Sequence, residues 1–323
     1  MGQITVDEFF SQYGTVLELE VVAGKAGMDK FLTSSDVHRP GLALAGFVGL
    51  FTYDRVQVLG NTEMLYLSGL DHDRAQMVLY PIFQFDIPCL VITDGNEVPA
   101  SMVALSEQRS VPLLKTPFST TKFSHLFTFH LDDVFSPRTT IHGSLVDVYG
   151  IGLLLIGRSG IGKSEIAIDL VERGHRLVAD DVVQVARKLQ GFLVGSSGET
   201  LWDSEEKGFP YMEIRGLGIL NVHHMFGVRA VRVQKRIEVV VKLVEFDESI
   251  HFDRTGLEDD WVSILDVEIP QVTIPIYPGK NITVIAEAVA LNYQLKIQGY
   301  HTAQEFNRRL LEKLQEKGPG GPS

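Results

Sequence analysis

Eight residues near the middle of this 323-residue chain carry its strongest chemical pattern: Gly157-Arg158-Ser159-Gly160-Ile161-Gly162-Lys163-Ser164. They satisfy every fixed position of G-x-x-x-x-G-K-[ST], the pattern of a loop that cradles phosphate. Glycines let the backbone curl until successive N–H groups point inward at phosphate oxygens. A helix starting directly behind the loop adds the partial positive charge of its N-terminus. In such a loop Lys163 neutralises the β- and γ-phosphates of a nucleotide, and the Ser164 hydroxyl is a ligand for Mg²⁺. The flanks agree. Residues 153–156 (LLLI) read as a buried strand, and Ile166, Leu170 and Val171 give the following segment one apolar helical face.

Two acids, Asp180 and Asp181, follow Lys163 by only seventeen and eighteen residues, at the end of the apolar run 176–179. The order strand, loop, three-turn helix, strand puts them on the strand neighbouring the phosphate loop. Consecutive side chains of a strand point to opposite faces, so one acid faces the nucleotide unless the strand ends or bulges there. One reading is a metal-associated acid with a solvated neighbour. The other is that one acid supports the metal while its neighbour moves a proton, as phosphoryl transfer to an alcohol requires. A protein hydroxyl, a small-molecule hydroxyl or carboxyl, or a nucleotide-responsive regulatory module all remain compatible with these residues alone.

The elements that must hold this chemistry read as α/β throughout. In the first part, residues 88–93 (PCLVIT) form a strand, 94–96 a turn, 99–108 a helix and 111–114 another strand; the apolar runs 46–51 and 56–59 precede them. Residues 122–134 read as a bridging helix with loosely periodic apolar positions. The boundary between a small N-terminal α/β domain (1–133) and a catalytic domain (134–316) is placed there. In the second part, residues 140–148, 152–156, 176–187, 236–246 and 271–276 read as strands and 164–173 as a helix capped by Gly174. From residue 281 the pattern turns helical, with Val284, Ala288, Leu291 and Leu295 on one face and then Phe306, Leu310, Leu311 and Leu314. The terminal GPGGPS is expected to be disordered, giving a tail over 317–323.

Composition excludes several classes. The formal net charge is −12, which opposes a general nucleic-acid binder. Cys89 is the single cysteine, so neither an intrachain disulfide nor a thiolate metal cluster can form. No apolar run approaches the ~20 residues of a membrane span, and the start MGQITVDEFFSQYG lacks the regions of a signal peptide. The expectation is a soluble, cytoplasmic protein that engages neither nucleic acid nor membrane.

With these residues in view, IHGSLVDVYGIGLLLIGRSGIGKSEIAIDLVERGHRLVADDVV resembles the HPr kinase/phosphorylase family. These are bifunctional bacterial enzymes acting on a serine of the phosphocarrier protein HPr. HRPGLALAGF and DRVQVLGNTE in the N-terminal part are similar to the family as well. A signature is resembled by Met212-Glu213-Ile214-Arg215-Gly216-Leu217-Gly218-Ile219-Leu220-Asn221. A proline-rich catalytic loop is resembled by Pro275-Ile276-Tyr277-Pro278-Gly279-Lys280.

The resemblance implies ATP-dependent phosphorylation of the HPr serine and its phosphate-dependent reversal, regulating carbon metabolism. It also implies Mg²⁺ as cofactor, a P-loop catalytic domain resembling phosphoenolpyruvate carboxykinase, and a homohexamer. On matching positions it implies that His142 and Arg254 are active-site residues and that Glu213 is a Mg²⁺ ligand. Asp181 matches the proton acceptor of phosphorylation and the proton donor of the reverse reaction. One departure stands out. The family loop commonly reads P-V-R-P-G-R, whereas Tyr277 and Lys280 occupy the two arginine positions here. Lysine lacks the planar fork of a guanidinium. The loop is associated with dephosphorylation, the half of the activity that this departure touches.

Overall fold

A computed structural model describes residues 2–197, 211–246, 260–277 and 279–316. The chain divides into two compact units, Met1–Ser136 and Pro137–Ser323.

In the first unit, β1 (Ile4–Thr5) leads into α1 (Val6–Tyr13), and β1 pairs with β3 (Phe31–Leu32). The main sheet is ordered β2 (Glu20–Ala23), β7 (Leu113–Lys115), β6 (Leu90–Ile92), β5 (Val56–Leu59), β4 (Val37–His38). Strands β4 to β7 are mutually parallel and β2 is antiparallel to β7. The connections α2 (Gly41–Leu44), α3 (Asn61–Ser68), α4 (His72–Leu79) and α5 (Ala100–Arg109) pack their apolar residues with Leu59, Leu90, Ile92 and Leu113. On the opposite face lie α1 and α6 (Thr120–Phe135). The loose periodicity of α6 resolves into Phe123, Phe127 and Leu131, four apart and fully buried, while Phe129 is exposed. The apolar run 46–51, read from sequence beside the strand at 56–59, forms no strand.

The described residues of the second unit form a nine-stranded sheet. Its centre is β8 (Arg138–Val148), paired antiparallel with β9 (Ile151–Ile156) through the tight Tyr149-Gly150 turn. On the far side of β9, β16 (Val239–Glu245) and β18 (Val267–Ile276) run parallel to it, and β17 (Asp260–Ile264) closes that edge. On the other side of β8 lie β10 (Arg176–Ala179) and β11 (Val182–Arg187), followed by β12 (Leu193–Ser196) and β15 (Gln234–Arg236). A separate hairpin joins β13 (Tyr211–Ile214) to β14 (Gly218–Asn221) and continues into the short α8 (Val222–Phe226).

Two differences from the sequence expectation follow. The run 176–187 is two strands, broken at Asp180-Asp181. The strand carrying the acids also does not adjoin β9, because the β8–β9 hairpin places β8 between them.

Helix α7 (Lys163–Glu172) packs on one face of this sheet because Ile166, Ala167, Leu170 and Val171 form its single apolar stripe. These side chains meet Val146, Leu153, Leu155, Leu177 and Val241. Helix α9 (Ile282–Ile297) joins the same core through Ile282, Ala286 and Ala290. The face expected from sequence therefore points the other way: Val284, Leu291 and Leu295 are exposed. A helix apolar on most sides is oriented by fit, and the alanines allow close approach to the sheet. The second α helix of this end, α10 (Thr302–Glu316), exposes Phe306, Leu310 and Leu311.

Leu170, on the buried face of the helix that follows the phosphate loop, is fully buried. Leu170→Ala is expected to cost about 2–5 kcal/mol, read as a lower urea midpoint at unchanged slope.

Candidate active site

Strands β9, β16 and β18 end on the same edge of the sheet, at Ile156, Glu245 and Ile276. Parallel strands present ligand-binding loops at their carboxyl ends. Pairing fixes what else reaches this edge. Gly143 of β8 lies opposite Ile156, Val182 lies opposite His142, and Ala179 lies opposite Leu145. The phosphate loop, His142 and both aspartates thus line one edge although β8 separates their strands.

The loop from Gly157 to Gly162 is shaped by left-handed glycines. Gly157 (φ 156°) lets β16 approach so closely that a Cβ would sit 2.7 Å from the Leu243 carbonyl oxygen. Gly162 (φ 101°) turns the chain into α7. Lys163 curls back, its Nζ donating to the carbonyl oxygens of Gly157 (3.2 Å) and Arg158 (3.3 Å). Those carbonyls hold the ammonium over the loop's mouth. Arg158 forms an ion pair with Glu245, fastening the loop to the end of β16.

The two aspartates separate in a way the sequence could not show. Leu177 packs with the α7 face of the sheet, so strict alternation would send residues 179 and 181 to that face. The pairing of β10 with β8 instead shifts by one between Leu177 and Ala179, and this bulge reverses the parity. Asp180 now shares the α7 face with Ser144, whose Oγ donates to Asp180 Oδ1 at 2.6 Å. The Ser164 hydroxyl faces the same carboxyl group. Burial pushes the Asp180 pKa up, while the Ser144 and Ser164 hydroxyls pull in the opposite direction. Asp180 Oδ2 is out of water and makes no hydrogen bond.

Asp181 has φ 62° and stays at the edge, its side chain 75% exposed. The Val182 N–H donates to the Asp180 carbonyl at 2.7 Å across it, forming a three-residue turn. The Gly143 N–H donates to the Asp181 carbonyl at 3.1 Å, fixing the turn from the β8 side. His142 Nδ1 lies 3.2 Å from the same carbonyl oxygen and 3.8 Å from Asp181 Oδ1. The pair is open to solvent and reachable by a large substrate.

The β13–β14 hairpin is pinned by Met212, buried in the α7 core, which leaves its neighbour Glu213 exposed. At the hairpin's turn the Arg215 guanidinium lies against the phosphate loop: a Cβ on Gly160 would be 2.7 Å from its Nη1. Past β18, Tyr277 meets Phe246 edge to face with ring centroids 5.2 Å apart. Lys280 sits 5.1 Å from the Tyr277 ring centroid and donates to the Pro275 carbonyl oxygen at 3.3 Å. Arg254 and Pro278 lie outside the described residues.

Sequence reasoning passed over Ser144, the Asp180 carboxyl's direct partner. Its signal was a hydroxyl at the alternation position of the apolar Val146 and Val148. A divalent cation suits this donor set. Mg²⁺ asks for one or two carboxylates beside phosphate oxygens and waters; the buried, unpartnered Asp180 Oδ2 is such an oxygen, on a carboxyl group that the Ser164 hydroxyl also faces. The edge therefore combines the glycine-rich loop, a lysine, a buried carboxyl oxygen without a partner and an exposed carboxylate.

Comparison with known proteins gives this chemistry a family. Residues 4–131 match the HPr Serine kinase N terminus and residues 133–310 the HPr Serine kinase C-terminal domain. An HPr kinase/phosphorylase of Chloroherpeton thalassium is 52% identical over 279 residues, covering 86% of this chain and 80% of that protein. One of Geobacter sulfurreducens is 44% identical over 310 residues, covering 96% and 94%. A solved structure of the Hpr(Ser) kinase/phosphatase from Coxiella burnetii is 30% identical with a TM-score of 0.44, covering 52% of this chain and 98% of that one. Matched in both parts and along nearly its whole length, the chain belongs to the HPr kinase/phosphorylase family.

Proposed function

We propose that this chain transfers the γ-phosphoryl group of ATP to a serine of the phosphocarrier protein HPr, and reverses the transfer with inorganic phosphate, in the control of carbon metabolism. The observation that carries this reading is the division of labour at Asp180-Asp181: one carboxyl group is buried beside the phosphate loop and the other is exposed beside His142.

The loop amides and Lys163 bind the nucleotide phosphates. Lys163 exchanges its two carbonyl partners for charged oxygens, which make stronger hydrogen bonds. Ser164, Asp180 and Glu213 would hold Mg²⁺, which when bound offsets charge on the phosphates. Asp181 accepts the proton of the incoming serine hydroxyl as its oxygen attacks the γ-phosphorus, and ADP leaves. His142 Nδ1, beside Asp181 Oδ1, orients that carboxylate.

In reverse, an oxygen of inorganic phosphate attacks the phosphoserine phosphorus and the bond to the serine oxygen breaks. Protonated Asp181 returns its proton to the serine, and pyrophosphate is released. One residue serves both directions by microscopic reversibility. Arg254, Arg215 and Lys280 are the cations assigned to offset charge on the transferred group. The N-terminal part (1–133) and catalytic part (134–316) divide the chain, with a tail over 317–323. The exposed leucines of α9 and α10 support assembly between copies, as a homohexamer. The cytoplasm is the place of action.

Asp181→Asn, incubated with Mg-ATP and HPr, is expected to lose phosphorylation roughly 10²–10⁴-fold while binding ATP and melting as the parent does. Full phosphoserine formation by that variant would sink the reading.

Asp180 gives a prediction of opposite sign for stability. Its folded-state pKa is raised, so the folded state binds more protons than the unfolded one above the ordinary value of 3.8, and stability falls as pH rises through that window. Asp180→Asn is therefore expected to melt higher than the parent at neutral pH without metal. The gap should close as pH falls toward the ordinary carboxylate value, while metal-dependent phosphorylation is lost. Melting curves at several pH values check this.

A further inference from the structure

Ser144 has no part in the reading above, yet its surroundings are specific. It is fully buried on β8, opposite Leu155 of β9, on the face covered by α7. A hydroxyl there needs a partner, because an unpaired polar group in an apolar setting is costly. It finds Asp180 Oδ1 at 2.6 Å, a length typical of a hydrogen bond to a charged acceptor. The other oxygen of that carboxyl group, Oδ2, is equally out of water and has no hydrogen-bond partner. One oxygen is tied and one is free, so the carboxyl group has a fixed direction.

We propose that Ser144 is a positioning residue for the metal of the phosphate loop: by holding Asp180 Oδ1 it fixes the carboxyl group so that Oδ2 is the oxygen left to serve a divalent cation shared with Ser164. The inference rests on the reading that the loop binds a metal–nucleotide complex. It accounts for a serine at this place in the strand, where alanine would fill the space but remove the hydrogen bond that holds Oδ1. Losing an outer partner that orients a metal ligand typically costs about 10–100-fold in metal affinity or activity.

The test titrates Mn²⁺ into the full chain with the non-hydrolysable nucleotide AMP-PNP and follows free Mn²⁺ by electron paramagnetic resonance. Ser144→Ala is expected to weaken Mn²⁺ binding about 10–100-fold. Ser144→Thr, which keeps the hydroxyl, should restore most of it. Affinity for AMP-PNP without metal should be the same in all three proteins. Two results overturn the proposal: Ser144→Ala binding Mn²⁺ like the parent, or Ser144→Ala losing metal-free AMP-PNP affinity in equal measure, which marks a general loosening of the sheet. If the parent itself takes up no Mn²⁺ with AMP-PNP, the phosphate-loop reading fails first and this inference falls with it.

Discussion

A single inserted residue in the pairing of β10 with β8 governs the geometry of this site. Because side chains alternate along a strand, a shift of one sends every following side chain to the other face. Asp180 is thereby turned toward α7 and the phosphate loop, and Asp181 is left at the open edge. The break has a conformational cost. A non-glycine residue at φ 62° is of the kind that raises energy by about 1–3 kcal/mol. It persists because backbone hydrogen bonds from Val182 and Gly143 hold the turn on both sides. With a regular strand the buried partner of Ser144 would be lost.

The same edge shows how charge is held ready before phosphate arrives. Lys163 rests on two neutral carbonyls, which are weaker acceptors than phosphate oxygens and can be displaced without net loss. Asp180 is in the opposite state, a carboxyl group whose burial favours its neutral form. On the proposed reading, a cation beside it would supply what burial removes. The same burial that opposes the charged carboxylate in the unliganded protein would, on that reading, favour a cation beside it.

What was legible in the sequence follows from how local each signal is. The strand–loop–helix unit around residues 151–172 was readable because glycines, lysine and apolar stripe sit within twenty-odd residues. The strand and helix at 90–92 and 100–109 were readable for the same reason. The family resemblance was likewise readable, from separate stretches along most of the chain. The split between Asp180 and Asp181 was not, since a bulge is a property of two paired strands and leaves no mark in either alone. Nor was the insertion of β8 between β9 and β10, which a βαβ pattern would place side by side. Helix α9 misled for a third reason. Its apolar residues surround it, so periodicity names no face, and the side that met the sheet carries Ile282, Ala286 and Ala290 with Ile285 and Val289 beside them.

In the loop after β18 an aromatic ring places a lysine. A guanidinium is a rigid fork whose direction is set by its own plane, whereas an ammonium is a point charge on a flexible stem. Left alone at an exposed edge, Lys280 would sample many positions. Here its Nζ is drawn to the Tyr277 ring face and to the Pro275 carbonyl, and the ring is in turn set by Phe246 at the end of β16. A cation over an aromatic face gains about 0.5–1 kcal/mol at an exposed site, enough to bias a side chain without locking it. Because Glu245, one residue before Phe246, also fastens Arg158 of the phosphate loop, both the loop and the lysine are anchored to the end of one strand. Tyr277 thus localises the Lys280 ammonium without locking it.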